Sequence, residues 1–300
     1  MSKTRQFIRR AVPQKLLVFI RDLVYPEKIN ILEDRLNSLF LTHYRGVSAP
    51  DVSQKTVFRN AEFKVYSKHG CDGMLLYIFS KLGIASHTFI EIGVEDGREC
   101  NTANLSLNFG WGGLLVDANK EWVESAKIYY KTKLGSNAQN VKIAHCFVAA
   151  ENINQLFLDN GFKGEIDLLS IDIDSNDYWV WEAINVINPR VVVIEYNSSF
   201  GLKSLVQKYN PDFRGRIENP LSFGASLSAL TKLGKRKGYI LVACDCHGHD
   251  AYFVRKDIVS SKFMESSPEE AYYPNPHTLG KFGSLEEQFK LIEHLDFVEV

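Results

Sequence analysis

The chain has 300 residues, 45% of them hydrophobic and 24% charged, so it can bury one sizeable core and still carry an appendage. Its 35 basic and 36 acidic residues leave a formal net charge of −1, which provides no overall field to recruit nucleic acid. The five cysteines are odd in number and scattered, which argues against a secreted disulfide scaffold and favours a cytoplasmic protein.

The first 60 residues differ in character from the rest of the chain. Residues 1–28 contain seven Lys and Arg against two acids. Apolar residues recur at helical spacing in Val12–Val24 and in Ile29–Leu41. We therefore predict a basic, helical N-terminal extension over residues 1–60, with the loop-like stretch Thr42–Thr56 near its end as the boundary.

The apolar faces of these two helices allow two interpretations. They cover the body of the protein, or they lie on an anionic membrane as a peripheral contact at its inner face. No transmembrane segment is expected, because the longest apolar run near the amino end, Leu16–Ile20, is far too short.

A glycine-flanked acid opens the second predicted domain, which spans residues 61–260. Gly70 and Gly73 flank Asp72 and lead into a predicted helix over Met74–Leu82. Since this turn precedes the first strand, it either folds over a cofactor or simply provides Asp72 as a helix cap.

A glycine loop follows the first predicted strand, Thr88–Ile92. The segment from Glu91 to Gly97 reads EIGVEDG and lies where ligands of open α/β sheets bind. Its glycines allow close approach of a ligand to the main chain. The spacing lacks the Gly-x-Gly-x-x-Gly that seats a pyrophosphate, and the carboxylates of Glu95 and Asp96 repel phosphate but tolerate a cation. S-adenosylmethionine meets both conditions.

A second acid ends the next predicted strand, Gly113–Val116. Asp117 lies where an acid meets the two hydroxyls of a cofactor ribose, a feature that a nicotinamide enzyme would share. The pattern resembles motif I and the ribose-binding acid of class I methyltransferases. That resemblance implies Glu91, Gly93, Gly97 and Asp117 as cofactor contacts. We assign five further residues to the cofactor pocket: Ser67, Glu95, Ala118, Val148 and Asp172.

Strand and helix patterns then alternate along the chain. A helix is predicted over Lys120–Lys133, a strand over Val141–Val148 and a helix over Glu151–Asn160. Such alternation is typical of a parallel sheet with helices on both faces.

Two later strands end in acids. The strand from Ile166 leads into Asp172, and its partner from Arg190 leads into Glu195 and Asn197. Both deliver carboxylates to the edge that holds the glycine loop. Asp172, Glu195 and Asn197 either hold Mg²⁺, which lowers the pKa of a substrate hydroxyl, or one carboxylate acts as the base itself.

The segment from Cys244 to Asp250 reads CDCHGHD between the predicted strands Tyr239–Ala243 and Ala251–Arg255. Its composition suggests zinc, but four ligands so close together on a hairpin do not surround one ion, so ligands from elsewhere are needed. Strand alternation puts Cys244 and Cys246 on one face. His247 or His249 binds sugar or acts as a base, or both are exposed turn histidines.

Aromatic and basic residues near the acidic edge add candidates for acceptor binding. Aromatic rings stack on sugar faces or pack in the core, and the order of Trp179 and Trp181 predicts different orientations on a helix. Residues 209–220 read as a loop whose Arg214 and Arg216 grip an acidic group or remain solvated. The aromatic set is Tyr178, Trp179, Trp181, Tyr196 and Phe200.

Four stretches resemble the FkbM-type sugar O-methyltransferases of bacterial glycan biosynthesis: Tyr66–Phe79, Phe89–Asn119, Ile166–Asn197 and Phe223–Asp257. The resemblance implies an α/β, Rossmann-like class I methyltransferase fold with a seven-stranded, mostly parallel sheet and a closing antiparallel hairpin. It also implies S-adenosylmethionine as donor and a saccharide acceptor, whether glycan, nucleotide sugar or glycolipid.

More distantly, the acids after strands four and five are similar to the metal ligands of catechol and macrocin O-methyltransferases, which implies Mg²⁺ as a cofactor. We assign Asp172, Glu195 and His249 as catalytic, and residues 261–300 as a wrap or a homo-oligomer contact. The alternatives are a binding or assembly protein with this fold and a nicotinamide-dependent oxidoreductase.

Overall fold

The computed structural model describes residues 52–212, 219–259 and 261–300. The predicted basic helices, most of the predicted boundary loop, Arg214 and Arg216 lie outside these residues.

The helices and strands are, in chain order, α1 Gln54–Ala61, α2 Cys71–Leu82, β1 Thr88–Ile92, α3 Ala103–Phe109, β2 Gly112–Asp117, α4 Lys120–Leu134, β3 Val141–His145, α5 Ile153–Asp159, β4 Gly164–Ile171, α6 Asp177–Ala183, β5 Ile187–Glu195, β6 Leu205–Gln207, α7 Leu227–Arg236, β7 Tyr239–Cys244, β8 Asp250–Arg255, α8 Lys256–Val259, α9 Pro268–Ala271, α10 Pro276–Phe282, α11 Leu285–Ile292 and β9 Phe297–Glu299.

A seven-stranded sheet runs through the centre in the order β3-β2-β1-β4-β5-β8-β7. Strands β1 to β5 pair in parallel, and β8 lies antiparallel to both β5 and β7. The predicted sheet, with its antiparallel hairpin, is confirmed. A separate antiparallel pair joins β6 to β9 near the carboxyl end of the chain.

Apolar side chains on both faces of the sheet explain why its strands read as nearly continuous hydrophobic runs. Phe89 and Ile90 are adjacent in β1 but belong to different core clusters, as expected when successive side chains point to opposite faces. In β5 the run Val191–Ile194 is completely buried. Helices cover both faces, which is the usual environment of a parallel sheet.

A buried ion pair closes the amino end of the sheet. Arg190 Nη1 in β5 donates to Asp167 Oδ1 in β4 at 2.6 Å, and Asp167 also accepts backbone N–H groups of Ser86 and His87. Burial alone would raise the pKa of Asp167, but the Arg190 hydrogen bond and the N–H donors outweigh it and lower that pKa. The opposite, carboxyl edge of the sheet remains open for a ligand.

Helix α1 begins inside the stretch predicted to be a loop. Ser53 is its N-cap, and the side chain accepts from Thr56 N. A serine at this position is a local signal for the start of a helix, which the loop-like composition of the stretch outweighed in the prediction. Gln54 Nε2 donates to Val242 O in β7, while Phe58 and Ala61 are buried. The helix therefore packs on the sheet domain.

None of the helices in the described residues combines the length and the apolar character that a membrane-spanning segment needs.

Candidate functional site

The molecule has the predicted Rossmann-like α/β sheet, seven-stranded and mostly parallel with a closing antiparallel hairpin, and ligands of such sheets bind at the carboxyl ends of the parallel strands. Two adjoining cavities open at that edge. We name them after one acid in each, the Asp117 cavity and the Glu195 cavity. The residues that line both are Lys68, Gly93, Glu95, Asp172 and Asp174.

The Asp117 cavity has a volume of about 490 Å³, within the range of about 300–1,000 Å³ that is usual for small-molecule sites. Ala118 and Val148, both predicted, line it together with Trp122 and Phe147, which the sequence analysis did not single out. Trp122 is 45% exposed, so in the sequence it has the pattern of an ordinary surface residue of α4. Only its closeness to Asp117 in the sequence could have identified it as a residue of the site.

Gly93 lies at a point where two strand ends meet. Its φ is +85°, and a Cβ there would lie 1.6 Å from the carbonyl oxygen of Asp172. Gly93 N donates to Val116 O at 2.8 Å, and Asp172 N donates to Ile92 O at 3.0 Å. The glycine is required because the main chain after β1 passes directly against the main chain after β4.

Gly97 plays a different part from the one predicted. Its φ is +72°, and a Cβ would lie 2.9 Å from Tyr130 Cε2 in α4. It lines neither cavity and faces α4. Gly97 thus shapes the loop without contributing to the cavity walls.

Asp117 lies at the end of β2 with its carboxylate partly engaged. Oδ2 accepts from Glu95 N at 2.8 Å, and Oδ1 accepts from Asn119 N at 2.7 Å. Burial raises the pKa of Asp117. An ionised carboxylate has about four acceptor positions, so Asp117 keeps capacity to accept a hydrogen bond from a ligand.

Glu91 is buried at the end of β1. Its Oε1 accepts from Asn101 N at 2.8 Å, and its Oε2 accepts from the amide and the hydroxyl of Thr102. These bonds tie the strand to the start of α3, while the carboxyl group lines the Glu195 cavity.

Ser67 does not line the cavities, contrary to the prediction that it contacts a cofactor. It is fully buried, and its hydroxyl donates to Asp72 Oδ2 at 3.0 Å. That oxygen also accepts from Val65 N and Tyr66 N, so Asp72 orders this loop, and Gly70 is the N-cap of α2. The loop folds over the site through the next residue, Lys68.

Lys68 reaches both cavities and forms a 2.8 Å ion pair with Glu95. Both side chains are roughly half exposed, so solvent screens the pair.

Three carboxylates meet between the cavities. Oxygens of Asp172, Asp174 and Glu195 lie within 4.8 Å of one another. Asn197, which was predicted to join this set, has its amide engaged elsewhere. Asn197 Nδ2 donates to Leu221 O and Phe223 O, and its Oδ1 accepts from Ser199 N. The amide thus holds the backbone after β5, and Asp174 completes the group.

His249 lies beside Glu195, with 3.7 Å between Nδ1 and Glu195 Oε1. Its Nε2 lies 3.1 Å from Asn275 Nδ2. Asn275 Oδ1 accepts the amides of His277 and Thr278 as the N-cap of α10, so its NH₂ group faces the imidazole. The histidine therefore accepts at Nε2 and carries its proton on Nδ1, toward Glu195.

Asp250, which is not among the predicted site residues, also lines the Glu195 cavity. Its Oδ2 accepts from Cys71 Sγ and Asn101 Nδ2, each at 3.2 Å. Its backbone N–H donates to Oδ2 of Asp245, a buried acid in the same turn. Burial raises the pKa of Asp250, and burial together with the Asp250 carboxylate raises that of Asp245 to about 7.

The raised pKa of Asp245 predicts a pH-dependent stability. An unfolded aspartate titrates near about 3.9, so between that pH and 7 the folded protein holds a proton that the unfolded chain has released. The free energy of unfolding then falls as pH rises, by up to about 1.4 kcal/mol per pH unit. Relative to the unsubstituted protein, Asp245→Asn should gain stability from about pH 5 to about pH 8 in urea unfolding experiments.

Asp96→Asn is the control for this measurement, since Asp96 pairs with Arg98 at the surface. The raised pKa of Asp245 would be contradicted if the free energies of unfolding of Asp245→Asn and of the unsubstituted protein differed by a constant amount across this pH range.

Cys244 and Cys246 do not share a face, contrary to the prediction. Cys244 ends β7 and belongs to the core, whereas Cys246 lies in the following turn and is only partly buried. Strand alternation does not apply because β7 has ended before Cys246.

Most of the predicted aromatic cluster is core. Tyr178, Trp181, Tyr196 and Phe200 are each 1% exposed. Trp179 is partly buried and donates from Nε1 to Gln207 O at 2.8 Å. The two tryptophans of α6 do differ in environment, but these four buried rings offer no face for stacking on a sugar.

No protein-family model matches the chain, and no curated protein matches it. Among solved structures, it is similar to the N-terminal domain of EvdMO1 with SAH bound, at 14% identity and a TM-score of 0.41, over 68% of this chain and 97% of that one. It is also similar to the methyltransferase domain of bacterial CtHen1-CN, at 13% identity and a TM-score of 0.39, over 61% and 96%. A third is precorrin-6y C5,15-methyltransferase from Geobacter metallireducens GS-15, at 14% identity and a TM-score of 0.36, over 59% and 85%. These are low-identity similarities of fold.

Proposed function

We propose that this chain is an S-adenosylmethionine-dependent O-methyltransferase that acts on a sugar hydroxyl in bacterial glycan biosynthesis. The observation that carries the proposal is the position of Asp172, which lines both the Asp117 cavity and the Glu195 cavity. A group-transfer enzyme needs two ligands side by side, with a proton acceptor where they meet.

The Asp117 cavity suits the donor. Trp122 and Phe147 offer aromatic surface to an adenine ring, and the remaining acceptor positions of Asp117 suit ribose hydroxyls. Glu95 lies on the wall between this cavity and the other and favours a cationic ligand over a phosphate. When bound, the donor supplies a methyl group that its sulfonium has already activated.

The Glu195 cavity suits a small, hydroxyl-rich acceptor. Its volume is about 190 Å³, and Asn101, Glu195 and Asp250 bring amide and carboxyl groups to its wall. Such groups accept and donate hydrogen bonds to hydroxyls without requiring a charged substrate. The proposed acceptor is a glycan, a nucleotide sugar or a glycolipid.

In the proposed reaction Asp172 and Glu195 orient the acceptor hydroxyl and take up its proton. His249 acts as a positioning residue, because its Nε2 is engaged with Asn275 and its protonated Nδ1 faces Glu195. General-base catalysis of this kind contributes about 10²- to 10⁴-fold. The remaining task of the protein is to align the two ligands.

The alternative to proton uptake by a carboxylate is a bound Mg²⁺ ion. Asp172, Asp174 and Glu195 would hold it, since they form an all-oxygen set of the kind that this cation prefers. The ion would lower the pKa of the acceptor hydroxyl. Activity that survives exhaustive chelation would remove the metal from the proposal and leave the carboxylates as bases.

The donor site is tested by calorimetry with S-adenosylmethionine, S-adenosylhomocysteine and NAD. We expect the first two to bind and NAD not to bind. Asp117→Ala should weaken S-adenosylmethionine binding by about 10- to 100-fold, the effect of losing hydrogen bonds to a charged group. Asp96→Asn, at a loop acid outside both cavities, is the control. NAD binding would favour an oxidoreductase instead.

The reaction itself is tested by mass spectrometry of glycans extracted from the source cell. Added protein and donor should increase the mass of a glycan by one methylene unit. Donor binding without any acceptor-dependent turnover across such extracts would favour a binding or assembly protein.

A further inference from the structure

The turn between β7 and β8 carries a side-chain cluster that the proposed reaction does not use. One potential ligand atom each from Glu62, Cys246 and His247 lies within 4.8 Å of the other two. Glu62 follows α1, more than 180 residues away in the chain. It is thus a ligand from elsewhere, of the kind that the closely spaced cysteines and histidines require.

We propose that Glu62, Cys246 and His247 form a binding site for a divalent transition metal of the zinc type. A thiolate, an imidazole and a carboxylate are all established zinc ligands. The sulfur and nitrogen donors disfavour Mg²⁺ and Ca²⁺, which prefer oxygen ligands. Three protein ligands leave one tetrahedral position for water.

The spacing of the side chains fits such a site. Cys246 Sγ lies 3.6 Å from His247 Nδ1. A tetrahedral zinc ion with bonds of about 2.3 Å to sulfur and about 2.0–2.1 Å to nitrogen separates those atoms by about 3.6 Å. The two donors are thus already at the distance that the ion requires.

Glu62 needs only a small displacement. The Cys246 thiol donates to Glu62 Oε2 at 2.9 Å, and the Cys246 amide donates to Glu62 Oε1 at 2.7 Å. On metal binding the thiol proton leaves to solvent and the S–H bond is replaced by a sulfur–metal bond. The carboxylate oxygen then moves to a separation of about 3.6 Å from the sulfur, the distance set by tetrahedral bond lengths.

The turn that carries the two ligands is rigidly held. Asp245 accepts the amide of His247 at 2.8 Å, and Gly248 has a φ of +72° with no room for a Cβ against Tyr273 O. The ring of His69 lies 5.1 Å from that of His247 and stacks on His249 at 4.2 Å. A bound metal would therefore fasten α1 to the turn beside the Glu195 cavity.

The experiment is a Co²⁺ titration of the full chain followed by absorption. We expect a thiolate-to-cobalt charge-transfer band that saturates at one equivalent and disappears when Zn²⁺ is added. Cys246→Ser should remove the band. Cys146→Ser, at another partly exposed free thiol, is the matched control and should retain it.

Three outcomes would overturn the proposal. The first is the absence of the band in the unsubstituted protein, and the second is its persistence in Cys246→Ser. The third is an unchanged cobalt affinity in Glu62→Gln and His247→Ala, which would mean metal binding by a single thiol only. We expect each of these two substitutions to weaken binding by at least about tenfold.

The all-oxygen group of Asp172, Asp174 and Glu195 gives no thiolate band, so the metal result is independent of the methyl-transfer proposal. Urea unfolding of Cys246→Ser checks that the variant is folded. Its unfolding transition should be as cooperative as that of the unsubstituted protein.

Discussion

Asp172→Asn should lower turnover by about 10² to 10⁴ while leaving the affinity for S-adenosylmethionine within about threefold. The side chain lies on the wall shared by both cavities, beside the carboxylates of Asp174 and Glu195. Replacing one oxygen by an NH₂ group removes the negative charge that receives a proton or a metal but preserves size. Initial rates and calorimetry on the same preparation measure the two quantities.

Asp96→Asn is the matched control for that experiment. Asp96 belongs to the glycine loop at the same sheet edge, lines neither cavity and pairs with Arg98. We expect its turnover to be unchanged. Full activity in Asp172→Asn would refute the assignment of the acidic edge, and a loss confined to donor affinity would move Asp172 from the chemistry to donor binding.

Gly93→Ala should abolish detectable donor binding and destabilise the protein by more than about 3 kcal/mol. The added Cβ would meet the carbonyl oxygen of Asp172 at 1.6 Å, far inside any contact distance. The neighbour is backbone at the end of β4, so it cannot rotate away as a flexible side chain could. Either the glycine loop or the segment after β4 must move, and both border the two cavities.

Gly110→Ala separates the clash from the cost of the backbone conformation. Gly110 has a φ of +67°, yet a Cβ there meets nothing within 4 Å. Its substitution should therefore cost only about 1 kcal/mol, the usual penalty of a left-handed conformation, and leave donor binding intact. Urea unfolding and calorimetry compare the pair. Equal effects of the two substitutions would show that the close approach at Gly93 is unimportant.

Local pattern was sufficient for the parallel strands and for the glycine loop. Strand β1 was predicted with the bounds that the structure has, because a short apolar run before a glycine turn is a signal within a few residues. Asp117 was placed at a strand end for the same reason. These features depend on periodicity and on positive φ angles, which the chain encodes locally.

Local sequence pattern did not indicate which polar side chains at the carboxyl edge face a ligand and which bind other groups of the protein. Ser67 and Asn197 were expected to meet ligands, but both are engaged with nearby backbone or side-chain groups. Serine and asparagine side chains can hydrogen-bond either to the protein backbone or to a ligand, so only the observed partners distinguish the two roles. The role of His249 likewise depends on Asn275, which belongs to a later helix.

The sequence by itself therefore determined the fold class, the bounds of the first strand, and the glycine loop and Asp117 at the carboxyl edge of the sheet. The tertiary structure alone decided that Asp174 joins Asp172 and Glu195, that Lys68 reaches both cavities and that Glu62 meets Cys246 and His247. The physical reason is the distance along the chain over which each kind of signal acts. Helix and strand periods act over a few residues, whereas a site is made from side chains that folding brings together from distant parts of the chain.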